Sequence, residues 1–170
     1  MNYKQLVDLA YNIIDETDYD EQVEIIIKEA INEAYQDLAK IDMRLSIGYF
    51  PIIRKMATLP NECIKIVEST PALDHNDKVV GNTIVTPKEG VLEIMYATAR
   101  ENLVNDNDEP DLHVSAHHNL ANFACYKYWL HRKKIEVAEA FLQKYMIERN
   151  NLEYALKDMS CINDYVTIEY

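Results

Sequence analysis

Apolar positions in the first part of the chain recur at helical spacing. Leu6, Leu9, Ala10, Ile13 and Ile14 predict a short opening helix over 3–15. Thr17-Asp18-Tyr19-Asp20 reads as a break, with Thr17 or Asp18 capping the next helix and Glu21 adding acidic charge to its first turn. Val23, Ile26, Ile27, Ala30, Ile31, Ala34, Leu38, Ile41 and Leu45 then form one sustained stripe, which predicts a long helix over 20–46. Glu21, Glu24, Lys28, Glu29, Asn32, Glu33, Gln36 and Asp37 occupy its other face.

The rhythm then changes. All three glycines (Gly48, Gly81, Gly90) and all five prolines (Pro51, Pro60, Pro71, Pro87, Pro110) lie within 48–110, so 1–47 and 111–170 hold no helix breaker. Tyr49 to Leu59 and Cys63 to Ser69 are rich in β-branched and aromatic residues. Val79-Val80-Gly81-Asn82-Thr83-Ile84-Val85 reads as a hairpin turning at Gly81-Asn82, and Val91 to Ala97 as a further strand. Four short strands predict one small twisted sheet resting on the helices.

An acidic loop from Arg100 to Asp111 leads to a second helical region. Leu120, Phe123, Ala124, Tyr128 and Leu130 predict a helix over 113–132; Ile135, Ala138, Phe141, Leu142, Tyr145, Leu152 and Leu156 predict another. Residues 161–170 end with period-two alternation: Tyr165, Thr167 and Glu169 on one side, Val166, Ile168 and Tyr170 on the other. The expected fold is mainly α with a small β insertion (α+β). It comprises N-terminal helices over 1–47, β insertion and acidic loop over 48–110, C-terminal helices over 111–160, and an extended C-terminal arm over 161–170. The long amphipathic helices are expected to form a bundle, and 1–170 to be a single domain.

Charge narrows the possible partners. Acidic residues number 29 against 17 basic, a net charge of −12, which argues against a generic nucleic-acid binder or an anionic-membrane binder. No apolar run approaches the roughly 18 residues of a membrane span, and the opening Met1-Asn2-Tyr3-Lys4-Gln5 predicts no signal peptide. Cys63, Cys125 and Cys161 are three cysteines without paired spacing, which predicts buried thiols in a reducing, cytoplasm-like compartment.

Candidate chemistry is sparse. His113 and His117 are four apart, the spacing of two imidazoles on one helix face reaching one metal, with His118, Glu109 and Asp111 nearby. Val114 stands where a zincin needs its glutamate, so these histidines are expected on a polar surface or interface. Counted as a calcium loop from Asp106, the sixth and twelfth positions are Asp111 and His117 instead of glycine and glutamate; a solvated acidic loop at the next helix's N-terminus is expected. The three glycines form no phosphate loop, and Ser46, Ser69, Ser115 and Ser160 sit in no nucleophile elbow. Cys125 is expected to pack in a helix face. Tyr126, Tyr128 and Trp129 suit core or subunit contact, and Lys127, Arg132, Lys133 and Lys134 form a basic cluster, either a solvated face or a partner for another subunit's acidic face. No catalytic, cofactor-binding or metal residue is assigned, and no enzyme is expected.

Leu59-Pro60-Asn61-Glu62-Cys63-Ile64-Lys65-Ile66, then Val91 to Ala97, then Asp106-Asn107-Asp108-Glu109-Pro110-Asp111-Leu112, run into a helix from His117 to Leu130 with Ala121, Ala124, Tyr126 and Tyr128-Trp129. Over about 20–157 this order resembles the head–tail adaptor (connector) proteins of tailed bacteriophages. The resemblance implies a structural virion protein at the head–tail junction, made in the host cytoplasm. It would form a homo-oligomeric ring, commonly of twelve subunits, beneath the portal protein. The ring would bind the next tail or collar protein and extend the exit channel, through which DNA passes without specific binding. It implies no cofactor and no membrane contact. Tyr165, Val166, Thr167, Ile168, Glu169 and Tyr170 are the expected assembly arm, pairing with a sheet edge of another subunit; a frayed tail or a strand on the chain's own sheet are its alternatives. Two other classes compete: a small dimeric helical interaction or regulatory protein of a cell, and a metal-dependent enzyme using His113, His117 and acidic neighbours. The missing catalytic constellation and the arm favour the adaptor.

Overall fold

Helix α1 (Tyr3–Ile14) begins where its orphan N–H groups find acceptors. The Asn2 side chain accepts the Gln5 backbone N–H at 2.9 Å, and the Gln5 side chain accepts that of Asn2 at 3.0 Å, a reciprocal capping box. Helix α2 (Glu21–Ala39) is capped by Asp20, whose carboxylate accepts the Gln22 N–H at 2.9 Å. The cap is therefore Asp20, and not Thr17 or Asp18. The structure, a computed structural model, describes residues 1–15 and 20–163. Over them the fold is mixed α+β, with four α-helices and two antiparallel three-stranded sheets.

Helix α2 stops seven residues before the expected end at 46. Leu45 lies not on it but in strand β1 (Arg44–Pro51). The stripe misled because a spacing of four fits both periods: Ile41 and Leu45 continue a helical stripe, yet Leu45, Ile47 and Tyr49 also alternate as a strand. Without a glycine or proline at the junction, nothing local marked it.

By contacts the chain forms two compact units, Met1–Asp42 with Arg100 onward, and Met43–Ala99. In the first, α1 and α2 share a core with α3 (His117–His131) and α4 (Ile135–Asn163). Leu6, Ile27, Ile31, Leu38 and Leu120 are its largest fully buried aliphatic side chains. Helix α3 touches α1, α2 and α4, so it is buried almost all round, which explains its run of Ala121, Ala124 and Cys125. The polar face of α2 is less solvated than its pattern suggests. Asn32 pairs with both backbone groups of Leu103, and Gln36 donates to the Arg100 carbonyl at 2.9 Å, so α2 holds the acidic loop in place.

The second unit has two sheets where one was expected. One runs β1, β6 (Val91–Thr98), β3 (Cys63–Thr70); the other runs β2 (Met56–Thr58), β5 (Thr83–Val85), β4 (Lys78–Val80). Ala57, Leu59, Ile84, Leu92, Ile94 and Tyr96 form their shared core. Gly48, opposite Ile94, leaves room for the Phe50 ring, which a Cβ there would approach within 2.5 Å. The β4–β5 hairpin turns at Gly81-Asn82 as the sequence predicts, with Gly81 at φ +58°. A second tight turn, Ile53-Arg54-Lys55-Met56, has both central residues left-handed (φ 53° and 64°) and is closed by paired backbone bonds of 2.8 and 3.0 Å.

Helix α4 continues through Asn163, so 161–163 are helical and not the start of an arm. Tyr165, Val166, Thr167, Ile168, Glu169 and Tyr170 lie outside the described residues.

Candidate functional site

The histidines do not converge. Helix α3 starts at His117, four residues later than predicted, after a 3₁₀ turn at Val114–Ala116. His113 precedes that turn, so the i, i+4 helix face it was to share with His117 does not form. Exposed His113 lies 2.8 Å from the Ser115 hydroxyl and caps the turn. His117 is buried, its Nδ1 2.9 Å from the Met1 amine, and burial lowers its pKa. His118 is exposed. Among the described residues no group of three His, Cys, Asp or Glu side chains is placed to hold a metal ion.

The acidic loop serves α1 rather than the helix that follows it. The carbonyls of Asp108 and Asp106 accept the N–H groups of Tyr3 and Lys4 at 2.7 and 3.0 Å, satisfying the first turn of α1. The Asp108 carboxylate accepts the N–H groups of Val104 and Asn105, both at 2.8 Å, which shapes the loop and holds its pKa down. Cys125 is fully buried, with Sγ 3.8 Å from the Ala10 carbonyl, and burial pushes its thiol up to about 12, a packing thiol and no nucleophile.

The basic cluster divides. Lys127 pairs with Glu33 at 2.8 Å and lies over the Phe123 ring; Arg132 lies over the Tyr128 ring and Lys134 over that of Trp129. Lys133 differs. It is exposed at the end of α3 with φ 58°, and its N–H bonds the Leu130 carbonyl while that of Lys134 bonds Trp129, a Schellman ending with lysine where glycine is usual.

A cleft of about 320 Å³ opens between the 3₁₀ turn, the start of α3 and the Glu148–Leu156 stretch of α4. Asn119, 2% exposed, lines it; its amide donates to the Tyr145 carbonyl at 3.2 Å, and its Oδ1 has no partner. One turn along α3, the equally buried Asn122 donates to Glu148 Oε2 at 3.0 Å, and its Oδ1 is likewise unpartnered. Sequence reading treated α3 as an apolar helix and missed both asparagines. Their three-residue spacing within that run was the available signal.

Apolar side chains also remain on the surface. On α4, Met146, Ile147 (61% exposed) and Tyr154 (70%) lie outside the core. In the second unit Leu45, Ile47 and Tyr49 (68%) line one face of β1, an edge strand of its sheet. No described helix is long and apolar enough to cross a membrane. No family model matches this chain, and no curated protein matches it.

Proposed function

We propose that this chain is a structural assembly protein, a bacteriophage head–tail adaptor that forms a ring beneath the portal protein and extends the DNA channel. The observation that carries the reading is apolar surface without a cover: Met146, Ile147 and Tyr154 on α4, and Leu45, Ile47 and Tyr49 on β1. Lone proteins rarely leave such groups clustered, whereas subunit interfaces bury them and favour tyrosine, of which this chain has 12. The net charge of −12 suits a channel lining that lets DNA slide past without holding it. In this reading the four helices act as a rigid bundle, and Tyr165, Val166, Thr167, Ile168, Glu169 and Tyr170 form an arm that pairs with a neighbouring sheet edge. The ring is of about twelve copies, seated in the virion between the portal and the next tail or collar protein.

The test is sedimentation and negative-stain microscopy of the protein alone and with isolated portal rings. A ring, or a collar on the portal, is the expected result. A stable dimer indifferent to portal would overturn the adaptor reading in favour of a cellular interaction protein. A chain ending at Asn163 is expected to melt at nearly the same temperature and to fail to assemble.

A further inference from the structure

The cleft beside α3 is short of hydrogen-bond donors. Asn119, which lines it, has a buried Oδ1 without a partner, and an unmet buried acceptor is an unfavourable state that a donor would relieve; Asn122, behind the lining, reaches the cleft only through its bond to Glu148. Glu148 adds a half-buried carboxylate that accepts one bond, from Asn122, and among the described residues no cation pairs with it. Leu152 and Leu156 supply apolar wall. An unpaired acceptor, a carboxylate and an apolar flank together suit an alkyl ammonium, the chemistry of a lysine side chain.

The chain presents such a group at the far end of the same helix pair. Lys133 sits in the α3–α4 turn, exposed and without an acidic partner among the described residues. Glu148 lies 13 residues beyond Ile135 along α4, about 20 Å at the helical rise. Lys133 therefore cannot reach the Glu148 of its own molecule, but between two copies the patches meet. We propose that Lys133 of one copy enters the Asn119–Glu148 cleft of the next. Unlike patches separated along the α3–α4 pair, one at the connecting turn and one midway along α4, make a head-to-tail contact, which either closes into a ring or extends as a filament. The contact rests on the assembly reading above and names the groups that join neighbours.

Four variants of the full chain test it by sedimentation equilibrium, alone and on portal rings, with circular dichroism to check folding. Lys133→Glu and Glu148→Lys should each weaken self-association at least about tenfold, and the double variant should restore it. Lys133→Gly removes the left-handed strain, so it should raise the melting temperature while weakening association, an opposition that a purely structural lysine would not produce. Zero-length carbodiimide coupling of mixed isotope-labelled and unlabelled wild type should yield a Lys133–Glu148 cross-link between copies. Assembly that proceeds equally well in the folded single variants would overturn this contact and leave the adaptor reading standing. A Glu148 cross-link to a portal lysine would overturn the second copy as occupant. Wild type that stays monomeric with and without portal would overturn both.

Discussion

Replacing Tyr145 with phenylalanine tests how α4 is held to α2. The Tyr145 hydroxyl donates to Asp37 Oδ2 at 2.7 Å, and Arg149 Nε donates to the same oxygen at 2.8 Å. Burial opposes the Asp37 charge, but the bonds from Arg149 and Tyr145 and the charge of Arg149 outweigh it and hold the carboxyl below its usual pKa. Phenylalanine keeps the buried ring and its contact with Phe123, whose centroid is 4.8 Å away, so only the hydroxyl is lost. A hydrogen bond to a charged acceptor is worth about 1.5–3 kcal/mol, and the Asp37 side chain is 35% exposed, so water replaces part of it. The expected loss is about 1–2 kcal/mol at pH 7.

The pH dependence gives that prediction its second arm. Asp37 has a lower pKa folded than unfolded, so its stabilisation is complete above the unfolded value near 3.9 and is lost as pH falls through the folded value. The gap between wild type and Tyr145→Phe should therefore be widest at neutral pH and narrow in strong acid. Urea unfolding followed by the fluorescence of Trp129, the one tryptophan and a member of this unit, reads it directly. A variant within about 0.3 kcal/mol of wild type at pH 7, or a gap that does not narrow in acid, would refute the reasoning.

Three further outcomes follow from particular contacts. Ile31→Ala empties a fully buried site on α2 and should cost about 2–5 kcal/mol in the same urea melts, while Glu29→Gln on the exposed face should stay within about 0.5 kcal/mol. Asn-Gly in place of Arg54-Lys55 relieves two left-handed residues and should stabilise the second unit by about 1–2 kcal/mol, read as slower amide exchange in β2 and β5; unchanged exchange would count against the turn geometry. Burial lowers the His117 pKa, so the unfolded chain binds its proton first, and stability should fall as pH drops below about 6.5; a His117→Gln variant should show a flatter slope in melts between pH 7 and 5.

What was legible in the sequence was whatever one local rule decides. The opening helix, the Gly81-Asn82 hairpin and the strand at Val91 each have a single period or a single turn signal, and each stands within a residue or two of its expected place. The junction after Ala39 was not legible, because Ile41 and Leu45 satisfy two periods at once and the choice between them is made by pairing with β6, far along the chain. The start of α3 was missed for a related reason: His113 to Ala116 carry no breaker, and a 3₁₀ turn differs from a first helical turn only in its bonds. Polar residues were hardest. Asn32, Gln36 and Asp37 read as a solvated face, yet each bonds a group more than sixty residues away, and no sequence window holds both partners.

The same distinction bears on where this chain departs from local rules. Among the described residues four non-glycine residues hold a left-handed backbone, and three of them are cations at turn tips: Arg54, Lys55 and Lys133. Asparagine or glycine would fit those turns with less strain, so packing does not explain lysine or arginine there. The fourth, Asp15, ends α1 and is acidic like most of this chain's charge; the cations run against that bias of 29 acidic to 17 basic residues. A left-handed residue at a tight tip also has few degrees of backbone freedom, so the side chain it carries leaves the surface from a fixed point. For the contact proposed for Lys133, fixed presentation would matter more than reach, because this chain's surface carries many competing carboxylates. In the proposed contact between copies, Lys133 would relieve the unmet Asn119 acceptor, while its own left-handed backbone stays as strained as in the single molecule.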